Sequence, residues 1–349
     1  MRFINKVLSF VLMVAILLGL INENAWGTGF PYVGAESFIV IESKTGKVIA
    51  SKNPQEKQYM ASTTKIMTGI LAIEKLKDLD KTVTIPAECT NIEGSSMYLV
   101  PNQKVKLIDL LYGLMLRSGN DAATALAYFA GNKSCEEFIE EMNKKAVEIG
   151  AFNTHFTNPH GLHNKEHYTT AYDLALISKY AMENPVFKEI VGTKKYVNSD
   201  NKVYITNKNK VVYQYKYGNG IKIGYTKTAG RCLVASANKE DFEVIVVLLG
   251  DGNWFNDSYR VFDFVYDNYR FEDIIKKGQI VSHDEDGEPV FAKEGFRYPL
   301  INSEKEKIRI ECVKTIPHIV SDERFQIFGV YKVYLGKDML QIGELYKLD

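Results

Sequence analysis

Hydrophobic and polar positions change period several times along this chain. Ser37–Glu42 and Lys47–Ala50 are short apolar runs around Lys44-Thr45-Gly46, which predicts a hairpin. From residue 62 the pattern turns helical: Ile66, Met67, Ile70 and Leu71 make the first half of 62–77 apolar on most sides, as in a buried helix. Helices are also predicted over Leu107–Leu116, Ala122–Ala130, Cys135–Ile149 and Ala171–Glu183. Cys135–Ile149 starts acidic and stops at Gly150, whereas Ala171–Glu183 stops at Asn184-Pro185. Strands follow at Gly220–Thr228, Arg231–Ala237 and Phe242–Gly250, then a helix over Asn256–Tyr269 with aromatic residues on its buried face. Strands at both ends with helices between them predict an α/β (α+β) sandwich built on one antiparallel sheet. Beyond about residue 270 the helical period is gone. Ile308–Val313 and Phe328–Leu335 alternate instead, so 271–349 is expected to form a separate small all-β domain.

The N-terminus has its own pattern. Met1, Arg2 and Lys6 precede an apolar run of 15 residues, Val7–Ile21, short for a bilayer span but suited to a signal peptide. Ala25 and Gly27 supply small residues where a signal peptidase reads, so 1–27 is expected to be removed before Thr28. An uncleaved anchor is the alternative, and either way the folded part lies outside the cytoplasmic membrane. The last residues read as a hairpin about Gly336-Lys337-Asp338, with no amphipathic membrane helix; membrane association would then come from the N-terminus.

Composition narrows the class. With 46% hydrophobic and 25% charged residues the chain can bury a full core, which excludes disorder and a polytopic membrane protein. Its 43 basic and 43 acidic residues cancel, so no general attraction to nucleic acid is expected. Cys89, Cys135, Cys232 and Cys312 are widely and irregularly spaced, which suits buried free thiols better than a disulfide framework or a zinc site; a single bridge stays open.

Ser62 and Lys65 are the candidate chemistry. Residues i and i+3 share a helix face, and a lysine inside a buried helix has its pKa lowered by desolvation, which fits it to act as general base on the serine hydroxyl. The amides opening the same helix are placed to bind a developing oxyanion. The pattern alone is cheap, since Ser-x-x-Lys recurs at Ser199–Lys202 and Ser236–Lys239, and Ser-x-Asn at Ser51, Ser118, Ser199 and Ser236. Context separates them, because only Ser62 begins a buried apolar helix.

The stretch Ala61–Thr68 (Ala-Ser-Thr-Thr-Lys-Ile-Met-Thr) resembles the signature of the D-alanyl-D-alanine carboxypeptidases, the low-molecular-mass penicillin-binding proteins. The resemblance continues through Leu114–Ala123, which contains Ser118-Gly119-Asn120-Asp121, and through Thr157–Leu162 and Tyr168–Ala175. It ends at Gly220–Thr226, and the elements fall in the family's order over about residues 35–270. It implies a penicillin-binding/β-lactamase-like transpeptidase fold, an antiparallel sheet with helices on both sides, in a domain spanning 28–270. It implies an acyl-enzyme on Ser62 with Lys65 as base, Ser118 as proton shuttle to the leaving amine, and Asn120 orienting Lys65 or the substrate amide. Lys222, on an edge strand, would face the substrate carboxylate beside Gly224 and Thr226, and the backbone N–H groups of Ser62 and Tyr225 would form the oxyanion hole. The substrate implied is a peptidoglycan stem peptide ending in D-Ala-D-Ala, with β-lactams as covalent inhibitors. No metal or cofactor is implied, and the location implied is the outer face of the cytoplasmic membrane or the cell wall.

One position departs from the family pattern. Its Lys-Thr-Gly motif reads Lys222-Ile223-Gly224 here, and isoleucine cannot donate the hydrogen bond that the threonine hydroxyl gives the substrate carboxylate. A weakened pocket is therefore expected, partly rescued by Thr226 or Thr228. The literal Lys44-Thr45-Gly46 is not that motif, because it lies N-terminal to Ser62 in a turn. Two other readings follow: a non-catalytic envelope protein that binds stem peptides, favoured only by Ile223, and a β-lactamase-like hydrolase, disfavoured because no Glu-x-x-Leu-Asn segment lies between the second and third motifs. His160, His163 and His167 have spacings open to a metal, but no carboxylate or cysteine joins them at ligand-like spacing. The partner of the β domain is not legible.

Overall fold

The structure, a computed structural model, describes residues 29–198, 204–319 and 325–348. The expected leader at 1–27 and the Ser199–Lys202 match lie outside the described residues. The chain divides into two compact units between Phe264 and Val265, where the sequence reading places the boundary after residue 270.

The first unit is built on a five-stranded antiparallel sheet. Its strands are β1 (Ser37–Glu42), β2 (Val48–Lys52), β3 (Gly218–Thr226), β4 (Gly230–Lys239) and β5 (Phe242–Leu249), in the order β2-β1-β5-β4-β3. The β1–β2 turn holds Gly46 at φ +73°, which places Lys44-Thr45-Gly46 in a hairpin turn. The first and last strands of this sheet pair with each other, β1 beside β5, and β3 is left as an edge strand. Ile39, Ile41, Val234, Ile245 and Val247 pack into the main helical core. The alternate residues Phe38, Val40, Leu233, Val244, Val246 and Leu248 are buried as well, so the central strands are covered on both faces. Phe30 stacks on Phe38 and meets Phe264 edge-on, which puts the last helix of the unit on that second face.

The helices of six residues or more are α1 (Lys65–Lys75), α2 (Leu107–Tyr112), α3 (Asn120–Ala130), α4 (Cys135–Ile149), α5 (Ala171–Met182), α6 (Pro185–Gly192) and α7 (Trp254–Asn268) among the described residues. α1 is the central one: residues Lys65–Ala72 are all buried, and it contacts α3, α4, α5 and α6. Two predicted helices are interrupted where the chemistry lies. The helix expected from residue 62 begins as a 3₁₀ turn, Ala61–Thr64, because the hydroxyls of Thr63 and Thr64 bond back to the carbonyls of Met60 and Ala61 at 2.6 and 2.7 Å. The helix expected over Leu107–Leu116 passes after Tyr112 into a π turn, Gly113–Arg117, and ends at Ser118 in a left-handed conformation. Asn184-Pro185, expected only as a stop, also starts α6: Asn184 caps the new helix, accepting from the Val186 and Phe187 amides, with Pro185 at the first position.

The second unit is mostly β. Arg270–Ile275 pairs with Phe296–Leu300, and a five-stranded antiparallel sheet runs Ile280–His283, Pro289–Ala292, Asp338–Leu348, Phe325–Leu335, Ile308–Ile319. Its core gathers Ile275, Val290, Ala292, Tyr331, Val333 and Leu345, with one helical turn at Asn302–Lys305. All four cysteines are free thiols; Cys89 and Cys232 are buried, but Cys312 is exposed on the edge strand Ile308–Ile319, against the expectation that all four would be buried.

Candidate active site

Ser62 is half-buried on the 3₁₀ turn, while Lys65, three residues on, is completely enclosed. The Lys65 Nζ lies 3.0 Å from Ser62 Oγ, 2.7 Å from Asn120 Oδ1 and 2.6 Å from the His160 carbonyl oxygen. Burial holds the Lys65 pKa well below its ordinary value, with Lys222 and then Lys208 pushing the same way and Asp121 opposing them. The geometry suits a neutral amine. Asn120 Oδ1 and the His160 carbonyl can only accept, so they take its two N–H bonds, and the lone pair is left for the Ser62 hydroxyl proton. That is the arrangement a general base needs.

The second motif arrives on the π turn. Ser118 is 5% exposed at φ +68°, a conformation that costs a serine roughly 1–3 kcal/mol and is typical of functional junctions. Asn120 starts α3 with its Nδ2 donating to the Glu93 carbonyl at 2.5 Å, which orients Oδ1 toward Lys65. Asp121 does something the sequence reading missed. Its carboxylate accepts from Ser96 Oγ and from the Met97 and Leu99 amides at 2.7, 2.9 and 3.0 Å, so it staples the loop around residues 93–99 to the start of α3.

The third motif lies on the edge strand β3. Lys222 is 1% exposed, its Nζ donates to the Ile223 carbonyl at 3.0 Å, and burial aided by Lys208 lowers its pKa to about 7. Lys208, also missed, sits with its Nζ 3.2 Å from Ser95 Oγ and bears electrostatically on both buried lysines. Only its place in the run Asn207–Lys210 between predicted elements is visible in sequence, with nothing to mark it. Gly224 approaches the 3₁₀ turn so closely that a Cβ there would lie 2.8 Å from the Ser62 nitrogen. Tyr225 is exposed, and Ile223 half-buried. Thr226 does not stand free beside them: its Oγ1 accepts from the Ala229 amide at 3.0 Å within the β3–β4 turn.

Other candidates are kept apart by the fold. Ser236 is buried on β4 and donates to Asn219 Oδ1 at 2.7 Å, while Lys239 lies over the Tyr217 ring. Among the histidines, His163 meets the Tyr59 ring edge-on, whereas His160 is half-buried and His167 buried, both near Lys65, each with its pKa lowered to about 3 chiefly by desolvation. Among the described residues no group of three or more His, Cys, Asp or Glu side chains is arranged to hold a metal. What comes together is a serine beside a buried amine, the Asn120 side chain that holds that amine, and the edge strand of Lys222 and Gly224 packed against the amide of the serine's own turn, with Ser118 two residues before Asn120 on a strained junction. Such a set can transfer an acyl group.

The comparisons agree in kind. A family model described as D-alanyl-D-alanine carboxypeptidase matches residues 25–253. The chain is 36% identical over 259 residues to D-alanyl-D-alanine carboxypeptidase DacF of Bacillus subtilis strain 168, covering 71% of this chain and 66% of that one. It is 37% identical over 246 residues to DacC of Escherichia coli K12, covering 66% and 61%. The matched region thus spans somewhat less than two thirds of these relatives' length. Among solved structures, a point mutant of the Streptomyces K15 DD-transpeptidase superposes with TM-score 0.63 at 30% identity, covering 67% of this chain and 98% of that one. Penicillin binding protein 5 of Haemophilus influenzae superposes with TM-score 0.77 over 93% and 99%, at 24% identity, a likeness of fold alone.

Proposed function

From the premise that this chain belongs to the D-alanyl-D-alanine carboxypeptidase family, we propose that it is a serine D,D-carboxypeptidase that removes the terminal D-alanine of peptidoglycan stem peptides. Ser62 Oγ attacks the carbonyl carbon between the two D-alanines while Lys65 takes the hydroxyl proton. The tetrahedral oxyanion rests on the backbone N–H groups of Ser62 and Tyr225. Ser118 passes a proton to the leaving amine, free D-alanine departs, and water hydrolyses the Ser62 ester. Asn120 keeps the amine aimed at Ser62. Lys222, with Gly224 and Thr226 beside it on the edge strand, faces the substrate carboxylate. β-Lactams acylate the same serine.

The observation that carries this reading is the 3.0 Å contact between Ser62 Oγ and a fully buried Lys65 whose other two partners are pure acceptors. The test is intact-protein mass of residues 28–349 after incubation with penicillin, beside Ser62→Ala. A single covalent adduct on the parent alone is the expected result; no adduct at high drug and long times sinks the reading. Ile223 favours one second reading, a catalytically weak envelope protein that holds stem peptides, and it would show as peptide binding without turnover.

The family's substrate lies in the cell wall, and with it goes the remainder of the proposal. Residues 1–27 serve export, 28–270 carry the reaction, and 271–349 form a C-terminal β domain at the outer face of the cytoplasmic membrane or in the wall. Among the described residues no helix is long and apolar enough to cross a membrane.

A further inference from the structure

We propose that His167 is a positioning residue that orients the Ser62 backbone amide, through Thr64 and the carbonyl of Ala61. The inference rests on the serine-peptidase reading above.

The chain of contacts is continuous and its direction is fixed by chemistry. The Thr157 backbone amide lies 3.0 Å from His167 Nδ1, and an amide N–H can only donate, so Nδ1 is the acceptor. In a neutral ring the proton then sits on Nε2, which lies 2.8 Å from Thr64 Oγ1. The Thr64 hydroxyl, having accepted there, donates onward to the Ala61 carbonyl at 2.7 Å. His167 is 2% exposed and Thr64 fully buried, so no water competes for these bonds. Burial first, and then the electrostatic influence of His155, Lys65 and His163, lowers the His167 pKa and keeps the ring neutral.

The end of this chain matters because of what lies on the other side of one peptide bond. The Ala61 carbonyl and the Ser62 N–H belong to the same planar trans unit and point in opposite directions. Holding the oxygen toward Thr64 therefore holds the N–H away from it. On that other side is the edge strand: a Cβ on Gly224 would reach the Ser62 nitrogen at 2.8 Å. Ala61 itself is at φ +46°, which an alanine adopts only under constraint, so the peptide would not keep this orientation unaided. Gly161 closes the remaining side, where a Cβ would fall 1.9 Å from the Ala61 oxygen and 2.8 Å from Thr64 Oγ1. Thr64 and Gly161 thus enclose one carbonyl, with His167 holding Thr64 from behind, and their common effect is the aim of an oxyanion donor more than one residue away from any of them.

The experiment measures acylation by a fluorescent penicillin, resolved into the dissociation constant and the first-order acylation rate, on the full chain. Thr64→Val removes the hydroxyl at nearly constant shape, and His167→Leu removes both ring nitrogens. Each is expected to slow the acylation step by about 10- to 100-fold, a misaimed donor costing less than the ~10²–10³ of a deleted one, with the dissociation constant changed less than about threefold. The double variant should be no slower than the worse single variant, since both break one chain. Thr64→Ser and His167→Gln, which keep a donor and an acceptor, should restore most of the rate. Rates are taken per molecule that is finally labelled, so partial unfolding does not mimic the effect. Unchanged acylation rates in Thr64→Val and His167→Leu, or additive losses in the double variant, overturn the inference. Failure of the parent itself to be acylated would instead overturn the serine-peptidase reading.

Discussion

Gly224 and Ser62 meet backbone to backbone: a Cβ on Gly224 would lie 2.8 Å from the Ser62 nitrogen and 3.1 Å from that of Thr63. The edge strand can approach the nucleophile's turn only because this residue has no side chain. Gly224→Ala should therefore push β3 off the turn and separate the Ser62 and Tyr225 amides. Penicillin acylation is expected to fall by about a hundredfold or more, the scale of a lost oxyanion donor. A melting temperature within a few degrees of the parent's would show that the sheet survives. Normal labelling of Gly224→Ala would mean that the amides do not act together.

Ile223→Thr tests the departure from the family motif. The hydroxyl oxygen of Thr226 is held inside the hairpin turn by the Ala229 amide, while its O–H stays available as a donor, so the gain from a hydroxyl at position 223 measures how far Thr226 falls short of replacing it. One hydrogen bond to a charged group is worth roughly 1.5–3 kcal/mol, so D-Ala release from a stem-peptide analogue should rise about 10- to 100-fold. If the rate stays flat, substrate carboxylate is held by cations alone, with Lys208 the first residue to examine.

The pH profile separates the two buried lysines. Lys65 must be neutral to act as base, so its role can only improve as pH rises. Lys222 must be charged to attract a carboxylate, and its pKa is lowered to about 7 by burial and by Lys208. Loss of its proton removes attraction as pH climbs through that value. The second-order acylation constant is thus expected to decline above about pH 7, and the decline cannot come from Lys65. Lys222→Arg, which does not titrate in this range, should carry the plateau to higher pH even where its absolute rate is lower. A rate that keeps rising past pH 8 in the parent would remove Lys222 from the carboxylate site.

Much of this is legible in the residues. Apolar periodicity locates α1 and the strands β3 to β5 to within a few residues, because these elements are buried and burial imposes the pattern. The 3₁₀ turn at Ala61–Thr64 is not legible, since it arises from Thr63 and Thr64 bonding back to their own backbone in a segment whose apolar content reads as helix. The π turn before Ser118 is hidden for a similar reason: Gly113–Arg117 keeps a helical pattern while the backbone widens to present Ser118. Lys208 and Asp121 escape notice because their significance lies in distant partners, Ser95 and the 96–99 loop, which no local spacing encodes. His160 draws attention for its ring, yet the atom that meets Lys65 is its carbonyl oxygen, which any residue would supply.

His167 also makes a prediction about stability. Its pKa is pushed down to about 3 in the fold, mainly by desolvation, against an ordinary value of 6.5. Below 6.5 the unfolded chain therefore binds a proton that the folded chain refuses, and the folded state loses ground as pH falls from about 6.5 toward 3. The limiting slope is about 1.4 kcal/mol per pH unit for one such group. Glutamine does not titrate, so the stability of the parent relative to His167→Gln should drop with that slope as pH is lowered below about 6. His160 behaves in the same direction, and Asp251, its pKa raised to about 6 by burial, in the opposite one. Both are present in parent and variant, and their contributions cancel in the difference. Urea denaturation of the two proteins at pH 7, 6, 5 and 4.5 measures it. A difference that does not change with pH would mean that His167 takes up its proton inside the fold, and the Nε2-to-Thr64 direction of the bond chain would then be lost with it.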